Sequence, residues 1–262
     1  MNSKKMTDLS SWKEVFRLGW IMGYQDYKMA NAGSRLGRYW PTIGMAIRIV
    51  FIGVIFSVLF NSSRGEYLPW LASGWIVWGF ISAGFQGSAN AYINSKAMML
   101  SLPLDKRSFI ARVSIKEGLS FLQNLPLILI VVVLFSINPG WQVLLFVPAA
   151  TITFVFLIGT GLMLGPLLAR YRDIGPFISS IFGVMFFVLP IMWRPQDLGD
   201  GLTRIIVGFN PLYHYLQLVR LPLIGDFPTL INWSIASAGA LLSIAIGLFV
   251  YKKTIDKVVY WA

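Results

Sequence analysis

The chain has 262 residues, a formal net charge of +11 and no cysteine; 56% of its residues are hydrophobic and 13% are charged. A soluble domain carries about 25% charged residues, and a soluble globule of this length has too little interior to bury so much apolar side chain. The composition therefore predicts an integral membrane protein and excludes a disordered chain. Because cysteine is absent, disulfide scaffolds, thiol chemistry and cysteine-based zinc sites are excluded as well.

The first 38 residues are predicted to form an arm that contains an amphipathic helix. Apolar and small residues recur at steps of three and four over residues 9–27, opposite Lys13, Glu14, Arg17 and Asp26. This pattern is typical of a helix lying in the plane of the membrane surface, with tryptophans among the headgroups and cations near anionic lipid. A helix packed on the bundle is the alternative interpretation.

Six stretches are apolar enough, over roughly 20 residues, to cross the bilayer as helices. Their continuous hydrophobicity favours a helical bundle over barrel strands, whose polarity alternates. The predicted spans are residues 39–60, 70–94, 109–135, 141–169, 177–193 and 230–251. We therefore expect an all-α integral membrane bundle with six transmembrane helices, in one domain over residues 1–262 with a tail at 252–262.

Basic residues are divided unevenly between the two sides of this predicted bundle. The arm, the connection after the second span with its edges (up to Lys116), the loop after the fourth span and the tail together hold 17 Lys and Arg, whereas the opposite loops hold four. Cytoplasmic loops of membrane proteins carry the excess of Lys and Arg. We therefore expect both termini in the cytoplasm. We attribute the excess positive charge to the orientation of the chain in the membrane and expect no nucleic acid partner.

The connection 95–107 contains a short apolar segment within a basic loop. The segment suits a short helix that ends before Pro103, because the residue before a proline is disfavoured in a helical conformation. Methionine gives an adaptable apolar surface, and an exposed apolar patch often marks a protein contact. We expect this helix to dock a partner; a solvated linker is the alternative. Its apolar residues include Ala97, Met98, Leu100 and Leu102.

The segment 194–229 on the opposite side is apolar in two places, 202–209 and 212–224. Each stretch is too short to span, and prolines bracket both. Such pieces are typical of re-entrant or interfacial helices.

Several kinds of chemistry are missing from the sequence. It contains no Gly-Lys pair and therefore no phosphate-binding nucleotide loop. The single histidine, His214, is expected to be a packed residue, and Glu117 is the only acid placed near membrane depth, so an ion relay is not expected. Arg48, inside the first span, is expected to face protein or water rather than lipid. If the chain is a transporter, the lack of an ion relay and of a nucleotide loop means that its energy comes from another chain.

Aromatic and polar residues follow one face of the second span. Trp75, Trp78, Phe85 and Tyr92 lie at spacings of three, seven and seven, and Gln86 belongs to the same stripe. Aromatic rings stack on sugar rings and amides hydrogen-bond hydroxyl groups, so the stripe is a candidate lining for a glycan path. Helix–helix packing is the alternative.

The order of these features resembles the membrane subunit of an ABC-2 type exporter, of the polysaccharide and O-antigen branch. Four short segments are similar to family elements in their places: residues 33–41 before the first span, 170–174 after the fourth, 188–192 at the end of the fifth, and 210–225 in the outside segment. Together they extend the resemblance over nearly the whole chain.

The resemblance implies a half-transporter. Two copies would form the pore, each bound to an ATPase subunit that uses ATP and Mg²⁺, while this chain itself binds no cofactor. The implied cargo is a polysaccharide linked to undecaprenyl pyrophosphate, foremost O-antigen, moved from the cytoplasm to the periplasm across the bacterial inner membrane. The arm would be a gate helix, and the outside helices would cap the pore.

The resemblance also assigns two sets of residues. A basic cluster at the cytoplasmic entrance is a candidate for the pyrophosphate, because cations pair well with phosphate oxygens, with membrane anchoring as the alternative; it comprises Lys28, Arg35 and Arg38. The helix in the 95–107 connection would couple to the ATPase through Lys96, Met98, Met99 and Leu100.

Two other classes stay open on sequence grounds. One is an ABC-2 permease for capsule, teichoic acid or a small molecule. The other is a membrane-embedded lipid-phosphate or acyl transferase, which is weakened by the lack of a convergent acid–base cluster in the sequence.

Overall fold

The computed structural model describes residues 9–30, 33, 37–60, 62–102, 104–195, 201 and 207–261, with only the backbone for residues 9–11 and Arg38. The described residues form helices joined by turns, with no strand among them. The helices are α1 (Leu9–Met29), α2 (Trp40–Leu59), α3 (Arg64–Ala89), α4 (Ala91–Asn94), α5 (Lys96–Ser101), α6 (Arg107–Leu134), α7 (Phe146–Arg170), α8 (Ile174–Val188), α9 (Pro211–Leu223) and α10 (Leu230–Trp261).

Five of these elements are long and apolar enough to cross a membrane: α2, α3, α6, α10, and α7 together with the 3₁₀ turn Gly140–Leu145 before it. The predicted all-α membrane bundle is confirmed. The predicted fifth span, 177–193, forms as α8, which begins at Ile174 and ends at Val188, before Pro190. It has 15 residues, about 22 Å at 1.5 Å per residue. Leu189 has the extended backbone that a following proline favours. Six crossings therefore stay a prediction.

The bundle has two ends. The arm end carries α1, α4, α5, the start of α6 and the end of α10. The cap end carries the turns between α2 and α3 and between α6 and α7, the turn 189–195 after α8, and α9. We use these two names throughout.

Helix α3 lies at the centre of the bundle, where its buried residues contact α6, α7, α8 and α9. Helices α7 and α10 cross so closely that a Cβ atom at Gly247 would lie 2.5 Å from the carbonyl oxygen of Gly159. Small residues at such crossings are typical of packed membrane helices. In contrast, α2 exposes much of its length, including Phe51 and Leu59.

Candidate functional site

Helix α1 forms as the sequence predicts and is docked on α6. The contact is made by two glycines one turn apart: a Cβ atom at Gly19 would lie 2.6 Å from the Cβ of Ala111, and one at Gly23 would lie 2.5 Å from the carbonyl oxygen of Arg112. The aromatic residues Phe16 and Trp20 of α1 are exposed. One face of the arm helix is therefore packed on the bundle, as the alternative interpretation expected. Its aromatic face is exposed and is free to contact the membrane surface.

Arg112 joins three elements of the arm end. Its Nε and Nη2 donate to Oδ2 and Oδ1 of Asp26 in α1, at 2.5 and 2.8 Å. Its Nη1 lies 3.5 Å from the Sδ atom of Met98 in α5. One guanidinium on α6 thus contacts both the arm helix and the short helix of the 95–107 connection.

The turn that leads into α6 is fixed by a second group of charges. The guanidinium of Arg107 donates to both carboxylate oxygens of Asp105 and lies 4.3 Å from the ring centroid of Trp12 in α1. Tyr251 of α10 donates to Asp105 at 3.1 Å. Burial acts to raise the pKa of Asp105, but hydrogen bonds and charge attraction from Arg107 outweigh burial and hold that pKa below its ordinary value.

The predicted short helix in the connection forms as α5 and ends at Ser101. Lys96 and Leu100 point outward, and Leu100 is 63% exposed. Met98 is half-buried, whereas Met99 is 8% exposed and packs inside the bundle. Of the four residues predicted to couple to an ATPase, Lys96 and Leu100 are therefore exposed, Met98 is half-buried and Met99 lies in the interior, and the coupling role stays a prediction.

The predicted basic cluster is only partly described. Lys28 is exposed in the last turn of α1. Arg35 lies outside the described residues, as does the side chain of Arg38. The assignment of this cluster to a pyrophosphate stays a prediction.

Three members of the aromatic stripe on α3 meet the aromatic face of α8. The ring of Trp75 lies 5.0 Å from that of Phe186, and the rings of Trp78 and Phe85 lie 5.5 and 4.7 Å from that of Phe182. Trp78 is buried, and the other two α3 residues are half-buried. The structure thus assembles an aromatic ladder between α3 and α8.

Gln86 and Tyr92 have different positions. Gln86 donates from Nε2 to the hydroxyl of Ser82, at 2.9 Å, and is half-buried on α3. Tyr92 is fully buried in α4, where its ring packs against Gly165 of α7. The helical phase breaks at Asn90, between α3 and α4, so the spacing of seven no longer keeps Tyr92 on the face of Phe85.

The cap end contains a buried cation in the apolar stretch 212–224 of the predicted outside segment. Arg220 of α9 is fully buried; its Nη2 donates to the carbonyl oxygen of Pro190 at 2.8 Å, and its guanidinium lies 3.9 Å from the ring centroid of Trp70. Gly74 makes room for it, because a Cβ atom there would lie 2.0 Å from Nη2. An arginine inside an apolar stretch was the available sequence signal.

Other polar side chains fix the same region. Tyr67 donates its hydroxyl to the carbonyl oxygen of Met192, and the indole of Trp70 donates to that of Trp193 at 3.2 Å. His214 is buried as expected, with Nε2 2.9 Å from the carbonyl oxygen of Gly208 and Nδ1 2.8 Å from the side-chain amide of Asn232. The turn after α8 and the start of α9 are therefore held by hydrogen bonds to backbone carbonyls.

These features define a multi-pass helical membrane protein with a docked amino-terminal helix and a packed cap. Residues 18–224 match the ABC-2 type transporter family, and the chain belongs to that family. It is a transporter component rather than an enzyme, and membership implies an ABC transporter with a partner ATPase.

The chain is also similar to characterised permeases. It is 20% identical over 189 residues, covering 72% of this chain and 73% of the relative, to the O-antigen export system permease protein RfbA of Myxococcus xanthus. It is 23% identical over 200 residues, covering 76% of both chains, to a protein of the same name from Klebsiella pneumoniae.

Proposed function

We propose that this chain is the membrane-spanning subunit of an ATP-driven exporter that moves an undecaprenyl-pyrophosphate-linked polysaccharide, O-antigen, from the cytoplasm to the periplasm. The observation that carries the proposal is the similarity over about three quarters of the chain to permeases named for O-antigen export. The matched family region also includes most of the arm helix α1, the short helix α5 and the cap helix α9.

The orientation follows from charge. The segments that the sequence predicts on the side of the arm helix hold 17 of the 22 Lys and Arg residues, and the side of a membrane protein that is richer in them faces the cytoplasm. We therefore place the arm end and both termini in the cytoplasm, the cap end in the periplasm, and the chain in the inner membrane.

The second copy is supported by the exposed face of α2. Arg48 lies eight residues after Trp40 and eleven before Leu59, near the middle of the helix, and its side chain is exposed. No described residue pairs with it. A charge at this depth costs several kcal/mol when it faces lipid, so this face requires a water-filled conduit or a protein partner. A homodimer with a central path for the glycan supplies both.

The remaining roles follow from position. The aromatic ladder of Trp75, Trp78 and Phe85 is proposed to border the glycan path, with Gln86 beside it. Lys96 and Leu100 are proposed to seat in a groove of the partner ATPase, two copies of which bind ATP and Mg²⁺ while this chain binds no cofactor. Lys28 and its neighbours are proposed to attract the pyrophosphate at the entrance.

The test is deletion of the gene in its native bacterium. We expect surface polysaccharide to disappear and undecaprenyl-linked glycan to accumulate inside the inner membrane, with both effects reversed by a plasmid copy. A strain carrying a hydrolysis-deficient partner ATPase is the matched control and should show the same accumulation. Normal surface O-antigen with loss of capsule, teichoic acid or a small exported molecule would contradict the proposed cargo.

A further inference from the structure

The contacts of Arg112 form a continuous path between two elements that otherwise belong to different parts of the arm end. On one side its guanidinium makes the paired contact with Asp26 of α1, and on the other its Nη1 contacts the thioether of Met98 in α5. The side chains of Arg112 and Asp26 are 19% and 29% exposed. The ion pair is thus shielded enough to be ordered, and exposed enough to rearrange.

The arm helix is attached to α6 on both sides of this ion pair. Before it in the sequence, Gly19 and Gly23 bring the backbone of α1 against Ala111 and Arg112. Close packing of this kind resists sliding of one helix along the other. The glycine contacts therefore prevent sliding but still allow the arm helix to roll about them, and the ion pair with Arg112 sets that roll.

After the ion pair, a chain of hydrogen bonds continues to α2. Tyr27 donates to Oε1 of Gln123 at 2.6 Å, Gln123 donates from Nε2 to Thr42 at 2.8 Å, and Thr42 donates to Oδ1 of Asn124 at 2.7 Å. Thr42 lies in the first turn of α2, so a displacement of the arm helix reaches the start of that span through polar contacts.

We infer that Arg112 is a positioning residue for transport: it transmits a displacement of α5, caused by the ATPase, to the arm helix and from there to α2. This inference rests on the proposed function, since it needs a partner ATPase seated on α5. An arginine suits the role because its planar fork presents separate edges to two partners, whereas lysine offers a single point charge. Arg112→Lys therefore keeps the charge and removes the two-sided contact.

The experiment uses the complex with its partner ATPase in lipid nanodiscs. The chain contains no cysteine, so introduced cysteines are its only thiols. One spin-label pair, Ala97→Cys with Lys252→Cys, reports α5 against α10; a second pair, Ile21→Cys with Lys252→Cys, reports α1 against α10. These positions are exposed. Distances are measured with and without ATP.

We expect both distances to change on ATP binding in the otherwise unmodified complex. In Arg112→Lys, the α5 distance should still change, while the change in the α1 distance is lost and glycan transported per ATP hydrolysed falls about tenfold, within the usual range of couplings between sites. Asp26→Asn should behave alike, and the charge swap Asp26→Arg with Arg112→Asp should also lose the α1 change, because a carboxylate at position 112 cannot replace the contact of the guanidinium with the thioether of Met98. Lys116→Gln is the matched control, because Lys116 pairs with Glu117 on α6 itself.

An α1 distance that still changes fully in both Arg112→Lys and Asp26→Asn would overturn the inference. If Arg112→Lys fails to fold, Asp26→Asn and the charge swap decide alone. Failure of the unmodified chain to bind any ATPase would overturn the proposed function instead, and that outcome is recognised before any variant is made.

Discussion

The arm end and the cap end of the bundle are held together by different chemistry. At the cap end, Tyr67, Trp70 and Arg220 donate to backbone carbonyls from buried or half-buried positions. At the arm end, the contacts are ion pairs: Arg112 with Asp26 stays partly exposed on both sides, whereas Arg107 is buried and its partner Asp105 is partly exposed. Buried polar groups lose their partners only at a cost of several kcal/mol, whereas partly exposed ion pairs are weak and break readily.

The difference shows which end can move. A cap fixed by buried hydrogen bonds is suited to stay rigid while the arm end, joined by ion pairs, rearranges. The cap end also has an ion pair, between the buried Arg194 and the exposed Glu66, but the turn beside it is held by the buried contacts. We therefore expect changes at the arm end to affect coupling and changes at the cap end to affect stability.

The largest expected effect is on coupling at the arm end. Leu100→Asp places a charge on the exposed apolar surface of α5, and we expect loss of ATPase binding and of export, with folding unchanged because Leu100 contributes little to the interior. Co-purification and surface glycan measure the two effects. The same substitution at Phe209, 85% exposed at the cap end, should leave ATPase binding intact. Unchanged export in Leu100→Asp would remove the coupling role of α5.

The cap end should respond in stability. Gly74→Ala inserts a methyl group where the guanidinium of Arg220 lies, and Trp70 limits the retreat of that side chain, so we expect a loss of about 1–3 kcal/mol. Thermal unfolding of the detergent-solubilised protein measures it. The control is Gly79→Ala on the same helix, where the only described atom within 4 Å of the new Cβ would be the terminal carbon of Met45, at 3.7 Å. Equal stability of the two variants would contradict a rigid cap built around Arg220.

The aromatic ladder lies between the two ends. Variants of its residues distinguish a role in lining the glycan path from a role in helix packing. Phe85→Ala truncates a half-buried ring, and we expect transport per folded molecule to fall severalfold while yield falls less than in Trp78→Ala, because truncating a buried aromatic costs about 3–5 kcal/mol. Tyr92→Phe should leave transport unchanged, since Tyr92 is buried away from the ladder. A collapse in yield with normal transport per molecule in Phe85→Ala would make the ladder a packing element.

The smallest effect is a pH dependence at the arm end. The pKa of Asp105 is held below its ordinary value by Arg107. The carboxylate therefore stabilises the fold fully at pH values above that ordinary pKa, about 3.9, and this contribution is lost as the pH falls through the lowered pKa. Asp105→Asn should therefore cost about 1 kcal/mol at pH 7, and its deficit relative to the unmodified protein should shrink below pH 4. A deficit that stays constant over this range would show that the carboxylate charge is unimportant.

Much of the fold is predictable from the sequence because membrane spans and amphipathic helices have strong periodic or continuous patterns. The arm helix and the short helix α5 were both predicted from such patterns. The end of α8 was predicted at 193 rather than at Val188 because the hydropathy pattern continues through Pro190, whereas the helix ends before it. The packing of Gly19 and Gly23 on α6 was not predictable, since small residues do not indicate which helix they meet.

The candidate sites were predicted less completely, because many of the residues that meet in them are far apart in the sequence. Tyr92 was assigned to the stripe because it lies seven residues after Phe85. That spacing keeps two residues on one face only while the helix is continuous, and the break at Asn90 carries little sequence signal. Arg220 contacts Trp70 and Pro190, and Arg112 contacts Asp26. Such pairs become visible only when the topology brings distant elements together.

The central claim is that this chain is a conduit whose energy comes from a separate ATPase. The most direct measurement is ATP-dependent movement of lipid-linked glycan across proteoliposomes that contain either the chain alone or the chain with its partner ATPase. We predict no ATP hydrolysis and no glycan movement for the chain alone, and both activities for the complex. ATP hydrolysis by the isolated chain, or glycan movement at the full rate without the ATPase, would contradict the account.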